Sequence, residues 1–299
     1  MGVQNEVWVN SVTEALLADN SFMSAMTNDD EYVVGGSLVH KPQAGDASTV
    51  VRNRTEFPAT VGVRTDTDLS YGLDEFTTNP LRLSNRDEVE LSYDKMQSFL
   101  RVNTGGLLDE VAKWILYGAA FEALAGTIIG TTGAADVGTA AGATGNRKVI
   151  TKKDLQNAQT ILNLQNMPAT DRHIVLDSNQ LAQLVGDDKL YDSYERSASR
   201  VSGNLPMLFG FTIHTRSEVL TLAANNTIKA PGAATATTDN SGALFFHRSG
   251  LCKALGEIRV FENPGDPTYY GDIISMLVRA KSKHNRGDKK GYGIIANVA

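Results

Sequence analysis

The sequence predicts an α+β fold, on three observations. One long amphipathic helix pattern lies near the middle, two short capped helices flank a buried strand after it, and the last third consists of strand signals. Helices and strands occupy separate stretches instead of alternating regularly, the arrangement of an α+β protein. With 299 residues, 41 % of them hydrophobic, the chain can bury a substantial core in one large domain or two smaller ones.

The first element is a short amphipathic helix in NSVTEALLADNSFMSAM (10–26), with Asn10 or Ser11 as its cap and Glu14 placed to complete a capping box. Residues 41–92 follow with two strand-like runs, STVVRNRT and DLSYGLDEFTTNPLRL, around FPATVGVRTDT. Polar and apolar residues alternate there without the aliphatic density of a core. Such a stretch reads as a long two-stranded hairpin. A hairpin is not stable alone in water, so it needs a surface to lie on, and a neighbouring subunit is the natural one.

A long helix follows in SYDKMQSFLRVNTGGLLDEVAKWILYGAAFEAL (92–124). Met96, Leu100, Leu107, Val111, Ile115 and Ala119 form an apolar stripe on one face. Gly105 and Gly106 each cost about 1 kcal/mol relative to Ala inside a helix, which implies a bend, a close contact or a break into two helices. GTIIGTTGAADVGTAAGATGNR (126–147) reads as a loop or mobile flap.

Thr151 then caps the helix TKKDLQNAQTILNLQN, with Asp154 three residues on and Pro168 beyond its end. RHIVLD is a short buried strand, and Asp177 caps the helix SNQLAQLVG. Strand signals follow in FTIHTRS, ALFFHRS, EIRVFENP, YYGDIISMLVRAKSKH and GYGIIANVA, with NRGDKKG as the turn joining the last two. In GNLPMLFGFTIHTRSEV, Leu205, Met207, Leu208 and Phe209 pack a turn on the core, and Gly210 allows either close approach or an unusual backbone angle.

Composition excludes several function classes. A net charge of −6 argues against a broad basic face for nucleic acid. The charge is uneven. Residues 1–40 hold six acidic residues and no Lys or Arg, whereas Arg279, Lys281, Lys283, Arg286, Lys289 and Lys290 stand against Asp288 alone. That basic hairpin reads as a solvated edge, as a phosphate contact, or as a partner for the acidic segment of another copy. Cys252, the only cysteine, rules out an internal disulfide framework and a cysteine zinc cluster. The start MGVQNEVWVN lacks the pattern of a secretory signal, and the apolar run 111–130 is interrupted by Lys113 and Glu122, as in a core helix of a soluble protein.

Chemistry finds no support either. GATGNRK lacks phosphate-loop spacing, since Lys148 precedes Val149 and Ile150. Ser92 and Lys95 form an SxxK without companion motifs, and no Gly-x-Ser-x-Gly elbow occurs. The five histidines (His40, His173, His214, His247, His284) show no metal-ligand spacing, although His173 and His214 both lie in strand signals that can converge. No catalytic, cofactor or metal residues are expected.

In this order, the elements resemble the major capsid proteins of tailed bacteriophages, which have the Hong Kong 97-like fold. The strand–helix unit RHIVLDSNQLAQLV, the run GNLPMLFGFTIHTRS and the closing YYGDIISMLVRAKSKHNRGDKKGYGIIANV carry the resemblance. It implies an N-terminal arm at 1–40, an extended-loop hairpin (E-loop) at 41–91 and the spine helix of a peripheral (P) domain at 92–125. A mixed region of P and axial (A) domains at 126–250 contains the flexible Gly/Ala/Thr-rich loop, and C-terminal strands at 251–299 belong largely to the P domain.

The resemblance also implies a structural protein, not an enzyme, that self-assembles into hexamers and pentamers of an icosahedral head around double-stranded DNA. Expected partners are other copies, portal and scaffolding proteins, a decoration protein, and packaged DNA held without sequence specificity. No membrane or cofactor is implied, and the protein would assemble in the host cytoplasm and reside in the virion. Candidate intersubunit contacts are Arg52, Arg54, Arg64, Asp66 and Asp68. Gly105 and Gly106 become a candidate hinge, because shells of this family expand on maturation. Residues 1–40 leave no room for a cleaved scaffolding domain, so a separate scaffold or an already processed chain is expected. Between Lys41 and Lys95 there is no lysine, so a lysine crosslink from the hairpin to a neighbour is not expected. Two other readings are an encapsulin-like nanocompartment shell and a soluble α/β enzyme with a lid at 126–147.

Overall fold

The architecture is organised around a central sheet with helices on both faces. It is described by a computed structural model over residues 19–34, 37–45, 48–59, 61–84, 95–186, 207–268 and 271–299. Three helices stand among the described residues: α1 (Lys95–Ala120), α2 (Lys152–Leu164) and α3 (Ser178–Gly186). The caps lie where the sequence places them. The Thr151 backbone N–H donates to Asp154 Oδ2 at 2.8 Å, closing a capping box, and the Gln180 N–H donates to Asp177 Oδ1 at 2.7 Å.

The central sheet contains β7 (Ile128–Gly130), β10 (Arg172–Asp177), β11 (Met207–Leu208), β12 (Phe211–Arg216), β13 (Leu220–Leu222), β14 (Asn240–His247) and β18 (Tyr292–Ala296). Its order is β11-β12-β10-β14-β18-β7, with β13 also on β14. β10 and β12 run parallel, from Arg172 opposite Phe211 to Asp177 opposite Arg216. β14 is buried along its whole length because both its faces are covered. Leu244 and Phe246 join Val111 and Ile115 of α1 in one core, while Ala243 and Phe245 join Leu155 and Leu162 of α2 in the other. A continuous apolar run suits a doubly covered strand, where alternation would place polar side chains in a core. Each Leu or Phe so buried contributes roughly 1.5–3 kcal/mol.

A second sheet is built on β17 (Gly271–His284), fourteen residues long. One edge pairs with β15 (Leu251–Leu255) and β16 (Arg259–Asp266), the other with β5 (Asp74–Thr77) and β6 (Leu81–Ser84). β1 (Thr27–Asn28) adds in parallel beside β15. Period 2 is clear in β17: Ile274, Met276, Val278 and Ala280 are buried, while Arg279, Lys281 and Lys283 lie on the other face. α1 packs across the buried face through Leu107, Val111, Ile115 and Ala119.

A hairpin is present, but its first strand is not the predicted one. β3 (Leu38–Gln43) pairs antiparallel with β4 (Thr67–Gly72), from Leu38 opposite Gly72 to Gln43 opposite Thr67, with β2 (Val33–Val34) on the outer edge of β3. STVVRNRT forms no strand, because the ladder ends at Gln43 and Thr67. Residues 74–84 return to the body as β5 and β6 instead of extending the arm.

Other expectations are corrected. Residues 126–147 are not one continuous loop: β7 joins the central sheet, and β8 (Ala135–Val137) pairs with β9 (Asn146–Lys148). Arg147 anchors that hairpin from a buried position, donating to Asn240 Oδ1 at 2.5 Å and to the Asp239 and Thr237 carbonyls. NRGDKKG does not close a hairpin, since β17 and β18 lie in different sheets. The place beside the end of β17 is filled by β15, with Leu251 opposite His284, and the apolar YGIIA of β18 goes to the doubly covered interior. The last fifty residues are therefore shared between the two sheets. LCKAL, which carries β15, was not expected as a strand.

α1 runs unbroken through Gly105 and Gly106, and a Cβ on Gly106 would meet nothing within 4 Å. Neither a break nor a close contact at Gly106 explains the pair. Phe209 and Gly210 take positive φ (50° and 77°) in the turn between β11 and β12. Phe211 is buried there, but Met207 is 63 % exposed. Ser92, Leu205 and most of the helix proposed at 10–26 fall outside the described residues, and Ser21–Ala25 forms a 3-10 turn.

Candidate assembly surfaces and the root of the arm

The hairpin formed by β3 and β4 leaves the body from a root held by a buried polar network. Asp29 is fully buried and accepts from Lys41 Nζ at 2.7 Å and from the Tyr71 hydroxyl at 3.0 Å. Lys41 Nζ also donates to Asn285 Oδ1 at 2.5 Å and lies 5.3 Å from the centre of the Tyr32 ring. Burial pushes the Cys252 thiol up to about 12, reinforced by Asp29, and it raises the Tyr71 hydroxyl in the same way. Both therefore stay protonated near neutrality. The Gln43 carboxamide adds two bonds to the body, donating to the Asn285 carbonyl and accepting from the Gly287 N–H.

Beyond the root, the arm exposes apolar side chains. Val50, Phe57, Val61 and Val63 are 93, 77, 89 and 90 % exposed. With Val51, 50 % exposed, they leave the segment rich in apolar side chains open to solvent. Sequence reading picked out charged residues here instead. Arg64 donates to Asp66 at 2.6 Å, and Asp68 Oδ2 accepts from His40 Nδ1 across the strands at 2.9 Å. Asp66 titrates below the usual carboxylate range because it accepts from the Gly45 N–H and from Arg64. These three stiffen the hairpin, while Arg52 is exposed and Arg54 partly so near the valines. Val61 and Val63 around Gly62 were the available signal for an apolar tip.

The basic residues of the second sheet are not a free cationic face. Arg279 pairs with Glu75 at 2.9 Å and Lys281 with Asp74 at 3.1 Å, both on β5. Lys283 and Lys289 reach Glu122 at 3.9 and 2.6 Å, and Arg286 and Lys290 reach Asp288 at 3.0 and 3.5 Å. Burial alone would raise Glu122, but the Lys289 hydrogen bond and the nearby His284 and Lys283 charges outweigh it and leave the carboxyl lowered. Each of these partners is an acid of the same chain: Asp74, Glu75, Glu122 or Asp288.

His173 and His214 do converge. Paired strands β10 and β12 bring His173 Nδ1 within 3.3 Å of His214 Nε2, and Ser21 Oγ lies 3.1 Å from His214 Nδ1 while donating to Asp19. No group of three potential metal ligands occurs among the described residues. A chain of neutral rings and a hydroxyl ties the first described residues to the central sheet.

No protein-family model and no curated protein matches this chain. Solved structures do. The capsid of cyanophage P-SCSP1u matches with a TM-score of 0.68 at 16 % identity, over 99 % of this chain and 93 % of that one. The capsid of Ralstonia phage GP4 matches with a TM-score of 0.66 at 13 % identity, over 99 % and 95 %. The capsid of a native GTA particle matches with a TM-score of 0.63 at 11 % identity, over 100 % and 96 %. Arm, long helix, doubly covered sheet and long-strand sheet together make up the fold that this chain shares with those capsid structures. It is the Hong Kong 97-like fold of tailed-phage major capsid proteins.

Proposed function

We propose that the protein is a major capsid protein that assembles into hexamers and pentamers of an icosahedral phage head enclosing double-stranded DNA. The observation that carries this reading is likeness to capsid subunits along the whole chain, arm included, and not along a common core alone. The arm supports it independently. It has its own ladder but no core, and its exposed Val50, Phe57, Val61 and Val63 need a cover that neighbouring copies supply.

In this reading the central-sheet region and the long-strand sheet act as the axial and peripheral parts of the subunit, and α1 is the spine. Arg52 and Arg54 contact a neighbour together with the apolar tip. Portal, scaffolding and decoration proteins complete the shell, which assembles in the host cytoplasm, and DNA fills it without sequence-specific contacts. The role is structural and needs no catalytic residue.

Expression of the full chain together with its gene neighbours, followed by size analysis and negative-stain microscopy, tests the proposal. Closed megadalton particles are the expected result. A monomer or small oligomer under those conditions would overturn it. Portal and terminase genes beside the gene would separate a phage head from a compartment loaded with cargo enzymes.

A further inference from the structure

No metal motif stands in the spacing of the histidines, but strand pairing brings two of the five together. β10 and β12 run parallel with His173 opposite Thr212 and Val175 opposite His214. The two rings therefore lie diagonally on one face of the central sheet, half-buried, with their centres 5.4 Å apart. His173 Nδ1 and His214 Nε2 face each other at 3.3 Å. The bonds around Ser21 fix one tautomer. The Ser21 hydroxyl spends its single hydrogen on Asp19 Oδ2 at 2.8 Å, so its 3.1 Å contact with His214 Nδ1 needs an N–H on the ring. His214 Nε2 is left with a bare lone pair on the side of His173. Alone, His173 fills that gap by donating from Nδ1, across a distance longer than most N–H···O bonds.

The same separation is the bite of a tetrahedral ion. Two metal–nitrogen bonds of about 2.0–2.1 Å at the tetrahedral angle hold their nitrogens about 3.3–3.4 Å apart. Square-planar and octahedral ions set neighbouring ligands at about 90°, which brings the nitrogens to roughly 2.8–3.0 Å. We infer that His173 and His214 form an exchangeable site for a tetrahedral divalent cation, of which zinc is the one that imidazole donors suit. Nδ1 of one ring and Nε2 of the other hold the ion, and His173 keeps its one proton by carrying it on Nε2. The link from His214 through Ser21 to Asp19 is the carboxylate-anchored support that orients a metal-bound imidazole and makes it a better donor. Asp171 offsets Arg248 beside His173, and Asp19 acts on His214, so the site is not closed to a cation by its surroundings. No group of three His, Cys, Asp or Glu ligands forms among the described residues. Two positions on the ion therefore belong to solvent, and the ion exchanges. When bound, it clamps β10 to β12 and, through Ser21 and Asp19, fixes the start of the described chain to the sheet. The inference does not depend on the capsid reading, because each copy carries the pair whether or not shells form.

Cobalt(II) is the probe, because a tetrahedral Co2+ ion absorbs visible light strongly and its octahedral aqueous form does not. The full, tag-free chain, stripped with a chelator, is titrated with Co2+ at a fixed pH near neutrality and then with Zn2+. The expected result is a set of intense visible bands that saturates at one ion per chain and is bleached by Zn2+. His173→Phe, which sets an apolar ring beside Phe246, should abolish the bands and weaken Zn2+ binding by about tenfold or more. His214→Phe should do the same. His40→Gln, at the exposed pair of His40 with Asp68, should change nothing. Melts in chelator show whether each variant is folded. If neither ring variant folds, the ring nitrogen resonances of the wild-type chain decide, since Zn2+ must shift two histidines, one at Nδ1 and one at Nε2. A purely octahedral spectrum would overturn the inference. So would bands that survive His173→Phe or vanish in His40→Gln. Shell formation is read separately, by microscopy, and neither result decides the other.

Discussion

Gly118 of α1 lies so close to Ser282 of β17 that a Cβ at this position would sit 2.8 Å from the Ser282 carbonyl oxygen and 2.9 Å from its Oγ. Ser282 Oγ donates to the Ile115 carbonyl one turn earlier, so helix and strand meet backbone to backbone. Gly118→Ala is expected to lower stability by about 1–3 kcal/mol, because neither backbone has room to give. Gly106→Ala, with nothing within 4 Å of the added methyl, should raise stability by up to about 1 kcal/mol. Thermal melts of the unassembled chain check both, and a matching sign for the two would refute this account of α1.

Gly106 then has no packing reason to be glycine, and we propose that it and Gly105 mark the place where α1 bends when a shell expands. Replacing both with Ala should give soluble, assembling subunits whose particles expand abnormally. Particle diameters measured by microscopy before and after maturation decide it, and normal expansion would remove the hinge.

Val61→Ser combined with Val63→Ser should leave the melting curve of the isolated chain within about 0.5 kcal/mol of wild type, since exposed substitutions rarely do more. Particle yield should fall sharply. If the yield is unchanged, the exposed valines do not carry the contact between copies.

Asp109 and Arg216 pair at 2.6 Å, with the arginine side chain only 1 % exposed. Asp109→Ala strands that guanidinium in the interior, a loss of about 3 kcal/mol. Denaturant unfolding should show it as a lower midpoint at unchanged slope. A variant as stable as wild type would mean that water reaches Arg216.

Acid should loosen the fold before its carboxylates protonate. Burial first, then the His214 charge, lowers His173 from 6.5 to about 4, and burial lowers His214 against the pull of Asp19. Below 6.5 an unfolded chain binds a proton that the folded His173 refuses until about pH 4, so this contribution is complete above 6.5 and is lost as pH falls through that window. Melting temperature should drop from pH 6.5 toward 4, and His173→Phe, placed beside Phe246, should flatten the drop. Equal slopes would exclude His173 as the sensitive group.

How much was legible in the sequence follows from the range of the forces involved. Caps act within three residues, so Thr151, Asp154 and Asp177 could be read directly. The stripe at Leu107, Val111, Ile115 and Ala119 could be read from helical periodicity, and the coreless arm from its missing aliphatic residues. Pairings set by distant segments could not. Nothing near YGIIA says that it leaves β17 for another sheet, and nothing near Arg279 or Lys281 announces Glu75 and Asp74 some two hundred residues earlier. The Gly/Ala/Thr run read as a loop because its anchors lie far along the chain: β7 pairs with β18, the Thr144 N–H donates to the Thr237 carbonyl, and Arg147 reaches residues 237–240. At the arm, charged residues drew the reading while the exposed valines passed as strand texture, since exposure is invisible in a local pattern.

The fourteen-residue β17 carries the returning arm strands β5 and β6 on one edge and β15 and β16 on the other. Tension transmitted from the hairpin along β5 therefore loads that ladder lengthwise, with its hydrogen bonds sharing the force at once. A sideways tug would unzip the same bonds singly. A chain wired in this way withstands stretching of its arm far better than peeling, so the direction of a pull on the arm matters as much as its strength.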